Sequence, residues 1–138
     1  TLASLGLDNL KGKLAFYQGD ACNMKPHFTG YDVIMCSNLI DRLYDPRVFL
    51  DSIQARLNQN GLLVISSPYT WLEAFTPKEK WLGGYKDKQD EISTLGTLEK
   101  ELTNFKLLET HDVEFVIRET KRKFQHSVSQ MSVWQKLS

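Results

Sequence analysis

Apolar and polar positions along the chain change period several times, and each change marks an element. Leu2, Leu5, Leu7 and Leu10 recur at loosely helical spacing and the pattern stops at Gly12. Lys13-Leu-Ala-Phe-Tyr-Gln18 reads as a short strand closed by Gly19-Asp20, and Tyr31-Asp-Val-Ile-Met-Cys36 as another, introduced by the turn pair Thr29-Gly30. Asp45 can cap a helix with Pro46 at its first position, since Pro lacks only an N–H that the helix would leave unpaired there. Phe49, Leu50, Ile53 and Leu57 then recur at helical spacing, and Asn60-Gly61 supplies a stop. Leu62-Leu-Val-Ile-Ser-Ser67 is apolar on both parities, the pattern of a strand covered on both faces. Strand, helix and strand with short connections form a βαβ unit, whose strands are parallel neighbours joined by a right-handed crossover.

Residues 68–93 carry no clean period but do carry Trp71, Trp81 and Tyr85. So long an irregular stretch inside a compact chain predicts a functional loop or lid, and the aromatics weigh against disorder. Ser93 or Thr94 can cap a following helix with a core face of Leu95, Leu98, Leu102 and Phe105. The last third alternates: Val113, Phe115 and Ile117, a polar turn around Thr120-Lys-Arg-Lys123, then Phe124, His126 and Val128. This predicts an antiparallel hairpin. Met131 and Val133 fall on the opposite parity, which predicts a β-bulge or bend near Ser129-Gln130. The fold class is therefore α/β, with parallel strands finished by a hairpin.

Composition narrows the class. With 138 residues, 41% hydrophobic and 11% aromatic, the chain holds one domain's worth of core. Seventeen basic and seventeen acidic side chains cancel, which argues against a nucleic-acid binder that must displace counterions. Lys121-Arg122-Lys123 reads as a solvated hairpin turn beside Glu114 and Glu119. The longest apolar run, Gly61 to Ile65, is far below the ~20 residues of a membrane span. No secretory signal is visible, so the expectation is a soluble, cytoplasmic protein with a small-molecule substrate, no nucleic acid and no membrane. Cys22 and Cys36 lack paired spacing and the three histidines stand apart, so reduced thiols and no metal are expected.

Ligands of open parallel sheets sit at the carboxyl ends of the strands. Those ends are Gly19-Asp20-Ala21-Cys22, Cys36-Ser37-Asn38-Leu39-Ile40-Asp41 and Ser66-Ser67-Pro68-Tyr69. Each places small or polar residues directly after an apolar run, where a core has no use for them. The competing reading makes Asp20 a turn residue and Asn38 and Asp41 loop hydrogen-bonders, since Asx side chains readily bond their own backbone.

In order, Gly19-Asp-Ala21, Tyr31 to Asp41, Asp45-Pro46, Phe49-Leu50, Leu57, Asn60-Gly61 and Leu63-Val-Ile65 resemble the second half of a class I S-adenosylmethionine-dependent methyltransferase. The terminal hairpin fits that fold's last two strands. More narrowly, Ser37 to Pro46, Ser67-Pro-Tyr-Thr-Trp71 and Thr76 to Gly84 resemble the C-terminal methyltransferase domain of ovothiol-biosynthesis enzymes, which methylates an imidazole nitrogen of a thiohistidine. The resemblance implies S-adenosylmethionine as cofactor and a thiol-imidazole amino acid as acceptor. It places Asp20 at the adenine amino group with the backbone of Ala21 and Cys22 beside the ring, and Cys36, Ser37 and Asn38 along the methionine portion. Asp41 would face the substrate as candidate general base. Tyr69, Trp71, Trp81 and Tyr85 would form an aromatic wall for a flat imidazole or the cationic sulfonium.

A complete domain of that class opens with a strand, a Gly-rich turn, a helix and a second strand. The glycines at 6, 12, 19, 30, 61, 83, 84 and 96 form no G-x-G, so residues 1–138 are expected to be one methyltransferase domain without that first segment. Such a chain is expected to leave an edge of the 31–36 strand open, and hence to self-associate or to pair with the missing segment. The alternative function is a non-catalytic Rossmann-like binding or assembly module. A nucleophile-elbow hydrolase is disfavoured, because no G-x-S-x-G occurs.

Overall fold

The computed structural model describes residues 3–7, 10 and 12–137. It is an α/β structure built on a four-stranded mixed sheet of β1 (Tyr31–Ser37), β2 (Leu57–Ser67), β5 (Phe105–Arg118) and β6 (Phe124–Lys136), in the order β1-β2-β6-β5. A two-stranded sheet of β3 (Tyr85–Asp87) and β4 (Asp90–Ile92) lies in the long segment after β2. Helix α1 (Pro46–Gln54) connects β1 to its parallel neighbour β2, and α2 (Thr94–Glu101) precedes the hairpin of β5 and β6.

Helix α1 starts as its sequence dictates. Asp45 accepts the Val48 N–H at 3.3 Å, Pro46 occupies the first turn, and Phe49, Leu50 and Ile53 are buried. It ends sooner than expected, at Gln54, and Leu57 opens β2 instead of closing the helix. The cause is Arg56, which turns back into the protein. Its guanidinium donates to the carbonyls of Met24, Lys25 and Phe28 at 2.9–3.0 Å, while its own carbonyl accepts from Tyr31 N–H at 3.0 Å. Asn60-Gly61 becomes a bend inside β2, where the register passes from Tyr31 opposite Leu57 to Val33 opposite Leu62. Gly61 is required by close approach: a Cβ there would stand 2.9 Å from the Asn58 carbonyl and 3.2 Å from that of Asp32.

Lys13–Gln18 forms no strand, contrary to the expectation from its alternation. Phe16 is 86% exposed and Tyr17 71%. Alternation makes a strand only where a partner supplies hydrogen bonds, and β1 pairs with β2 alone among the described residues. Of the sheet's three pairings, only β1 with β2 is parallel, since β2 with β6 and β5 with β6 are antiparallel.

One face of the sheet is covered and the other is open. Cys36, Leu63, Ile65 and Trp134 share a core cluster with Phe49, Leu50 and Ile53 of α1 and with Leu98 and Leu102 around α2. On the opposite parity Val33 and Met35 are exposed, and Leu62, Val64, Met131 and Val133 are half-buried. The two-sided burial expected for β2 is therefore absent. Phe105 begins β5 rather than ending α2, and Ser93 caps α2 by accepting the Gly96 N–H at 3.1 Å.

The hairpin forms as expected, but its irregularity lies on the other strand. Register shifts between Leu107 and Glu109 of β5, which face Trp134 and Val133. Ser129 and Gln130 pair regularly with Val113 and Asp112. No bulge is needed there because the outer half of the hairpin packs on neither face: Phe124 is 58% exposed and Val128 45%. Apolar parity carries register information only where a core selects it. Among the described residues the N-terminal leucines form a 3-10 turn at Ala3–Leu5 and no α-helix, and Leu2 lies outside the described residues.

Candidate functional site

The turn after β1 is built around Asp41, which is 1% exposed. Its Oδ1 accepts from Ser67 Oγ at 2.9 Å, and its Oδ2 accepts from the Thr70 N–H at 3.0 Å and from Thr70 Oγ1 at 3.2 Å. Arg42 closes the cluster, donating to Asp41 Oδ2 and to the Thr70 carbonyl, both at 2.8 Å. The Arg42 guanidinium also lies 5.3 Å over the Phe75 ring. A buried carboxylate so fully bonded ties the carboxyl end of β2 to that of β1. In this arrangement Asp41 is a staple between two loops, and it presents no free oxygen to a substrate.

Cys36, Ser37 and Asn38 divide by strand parity. Cys36 points into the core, and burial, with the Asp41 charge second, pushes its thiol up to about 12. Ser37 is exposed, and its Oγ accepts from Ser66 Oγ at 3.3 Å. Asn38 is exposed with φ 49°, a left-handed conformation that non-glycine residues adopt mainly when surroundings demand it. Those surroundings are a 2.7 Å bond from its N–H to the Ser66 carbonyl and a 2.7 Å bond from Ser129 Oγ to its Oδ1.

Asp20 sits on the exposed loop that approaches α1. One oxygen accepts the Cys22 N–H at 2.9 Å and the other accepts the Tyr44 hydroxyl at 3.0 Å, an interaction that raises the Tyr44 phenol above its ordinary value. Gly19, Asp20 and Ala21 border a cleft of about 450 Å³ with Tyr17, Phe28 and Tyr31 among its walls. Cys22 is outside it: its thiol donates to the Asp45 carbonyl at 3.2 Å and is raised chiefly by burial.

The four candidate aromatics do not form a single wall. Trp71 is buried and donates from Nε1 to Thr94 Oγ1 at 3.0 Å. Trp81 stacks on it with centroids 6.5 Å apart, and its own Nε1 donates to the Thr76 carbonyl at 2.8 Å. Trp81 and Tyr85 line a second cleft of about 570 Å³. Tyr69 turns instead toward β6: its hydroxyl donates to Gln130 Oε1 at 3.3 Å, and burial pushes its phenol up to about 12. The segment expected to be a lid is thus folded, with a 3-10 turn at Lys78–Lys80, the β3–β4 hairpin, and fully buried Thr76 and Leu82.

Arg42 and Arg56 carry much of this geometry and do not stand out in the sequence. Their signal is local only: Arg42 adjoins an acidic residue, and Arg56, seven residues after Phe49 and three after Ile53, stands at the flank of the apolar stripe rather than on the solvated face. Arg56 is 8% exposed, with Nε buried and unpaired.

No protein-family model matches the sequence, and no curated protein matches it. Solved structures do share its fold. An N-methyltransferase, NodS from Bradyrhizobium japonicum in complex with S-adenosyl-l-homocysteine, superposes with a TM-score of 0.55 at 12% identity, over 98% of this chain and 62% of that one. A SAM-dependent methyltransferase from Methanosarcina mazei gives 0.54 at 15% identity, over 86% of this chain and 65% of the other. A structure described for the conversion of a disulfide bond into a thioacetal group during echinomycin biosynthesis gives 0.60 at 12% identity, over 97% and 62%. The chain therefore spans less than two thirds of the length of each of these neighbours, and its fold is that of the class I methyltransferases.

Proposed function

We propose that this chain forms the carboxyl-terminal portion of an S-adenosylmethionine-dependent methyltransferase domain acting on a small thiol-imidazole amino acid. The observation that carries the reading is the coincidence of the fold with polar residues around β1: Ser37 and Asn38 stand at its carboxyl end, and Asp20, on the loop before it, accepts from Tyr44 of the segment that follows it. The residues present fit the adenine half of the cofactor, because the cleft beside Asp20 is walled by aromatic rings and rimmed by Gly19 and Ala21. Asp20 would take the adenine amino group and Ala21 would offer backbone beside the ring, while Cys22, outside the cleft, would hold the Asp20 carboxylate in place through its N–H, and Cys36 would contribute main chain alone. Ser37 and Asn38 would face the methionine portion.

The cofactor supplies an electrophilic methyl group on a sulfonium. The protein's own residues hold and align the acceptor, because in-line displacement with a neutral leaving group depends mostly on proximity and dry surroundings. Asp41 serves as a positioning residue, fixing Ser67 and Thr70 and thereby the approach to the aromatic segment. Trp81 and Tyr85 offer the faces on which an imidazole would stack, above the buried Trp71.

Calorimetric titration of S-adenosyl-l-homocysteine into the purified chain tests this reading. Binding that weakens at least ten-fold in Asp20→Ala supports it, since a charge-assisted hydrogen bond contributes roughly that factor. Binding indifferent to Asp20 counts against the assignment.

A second reading, a non-catalytic Rossmann-like binding or assembly module, rests on a specific pair of features. The sequence holds no G-x-G turn, and β1 keeps one edge unpaired among the described residues, with Val33 and Met35 exposed. In either case we expect this edge to recruit a strand, from a second copy or from a preceding strand-helix-strand segment.

A further inference from the structure

The cleft at residues 78–86 carries charge that its fold does not use. Lys78, Glu79 and Lys86 line it together with Trp81, Gly84 and Tyr85. Among the described residues neither lysine pairs with a carboxylate and Glu79 pairs with no cation, whereas the neighbouring Lys80 is tied to Asp45 at 2.7 Å and Arg47 to Glu101 at 2.9 Å. Lys78 lies with its ammonium 6.0 Å over the Trp81 ring, so it is held at the cleft rather than pointing away. Gly84, with φ 76°, reverses the chain between Trp81 and Lys86, bringing the start of β3 back to face the 3-10 turn. Behind this surface Trp71 and Trp81 are stacked and hydrogen-bonded through both indole N–H groups, which makes the floor rigid.

We propose that this cleft binds the zwitterionic head of an α-amino acid, with Lys78 and Lys86 taking the carboxylate, Glu79 the ammonium, and Trp81 and Tyr85 the flat side chain. The charge set discriminates among ligands. A dianion such as a phosphate would meet Glu79, and a simple cation would meet two lysines; a zwitterion satisfies all three groups. A volume of about 570 Å³ holds an amino acid with a ring side chain. The inference rests on the methyltransferase reading for the use to which the site is put and supplies the acceptor's recognition elements, but the binding it describes can be measured without cofactor.

L-Histidine, histamine (no carboxylate) and imidazolepropionate (no ammonium) are titrated against the chain, with tryptophan fluorescence as readout and Trp81→Phe to identify the reporter. Histidine should bind roughly ten-fold more tightly than either truncated analogue. Lys78→Met with Lys86→Met should abolish the preference over histamine alone, and Glu79→Gln the preference over imidazolepropionate alone. All three side chains lie at the surface, so unchanged circular dichroism and melting separate lost binding from lost folding. Equal binding of the three ligands, no binding of histidine, or preferences untouched by these substitutions overturns the proposal. Binding of S-adenosyl-l-homocysteine, followed by calorimetry on the same preparation, reports separately on the methyltransferase reading, so either can fail while the other stands.

Discussion

Ser67 Oγ donates to Asp41 Oδ1 at 2.9 Å across the gap between the ends of two parallel strands. Both groups are buried, and the same carboxylate serves Thr70 and Arg42. Truncation at Asp41 would strand several donors at once, whereas truncation at Ser67 removes this bond and the one its Oγ accepts from the Tyr69 N–H at 3.0 Å, and leaves the carboxylate its remaining partners. Asp41→Ala is expected to cost about 3 kcal/mol of stability and Ser67→Ala about 1 kcal/mol. Urea denaturation checks both, and equal costs would show that the staple is not centred on Asp41.

The Asp45 carboxylate, capping α1 and paired with Lys80 at 2.7 Å, is held below its ordinary value first by that lysine and also by the Val48 N–H. A depressed folded-state value means stability that is present above the unfolded value of 3.8 and is lost as pH falls through the lower, folded one. Wild type should therefore exceed Asp45→Asn in stability at neutral pH, by about 0.5 kcal/mol for the charge facing Lys80 and the helix N-terminus, since asparagine keeps the cap. The gap should close on acidification below the ordinary carboxylate range. Paired melting curves across that range test the sign; a gap that widens in acid contradicts it.

Gly83 packs against the start of α2 so closely that an added Cβ would lie 2.3 Å from the Thr94 nitrogen and 2.6 Å from the Ser93 carbonyl carbon. Both are backbone atoms that cannot swing aside. Gly83→Ala should destabilise by about 3 kcal/mol, in the range of overpacked cores. Gly19→Ala, with nothing within 4 Å of the new methyl, should be close to neutral. Thermal unfolding of the two variants gives the comparison.

Open strand edges recruit other strands. Val33 and Met35 on β1 are 57% and 66% exposed, so the chain should self-associate as concentration rises. A lysine at position 33 should suppress association without loss of helix signal. Sedimentation velocity of Val33→Lys against wild type decides this, and identical profiles would remove β1 from the contact.

What the sequence made legible follows from where local chemistry and packing agree. The α1 start, with Asp45 and Pro46, needs only neighbouring residues, and it forms as read. Parallel pairing of β1 with β2 and the long hairpin likewise follow from pattern and connection length. The end of α1 was not legible, because Arg56 is drawn to carbonyls 28–32 residues earlier in the chain. Lys13–Gln18 alternates as a strand should, yet pairing is a property of neighbours that its own residues do not encode. At the site, the three loops were identifiable from polar residues following apolar runs. The direction of each side chain was not: Trp71 and Asp41 are buried by the fold of residues 68–93, whose irregular pattern conceals a turn and a hairpin.

The later strand of the terminal hairpin does not lie at the edge of the sheet. β6 lies between β2 and β5, so Trp134 and Ser132 fill the middle of the structure although they are joined after every residue of β1, β2 and β5. During synthesis β2 must wait as a bare edge until Phe124–Lys136 has emerged from the ribosome. Through that interval Leu63 and Ile65 lack the partner strand that completes their cover, and chaperone dependence in the cell should be set by this delay rather than by the final stability.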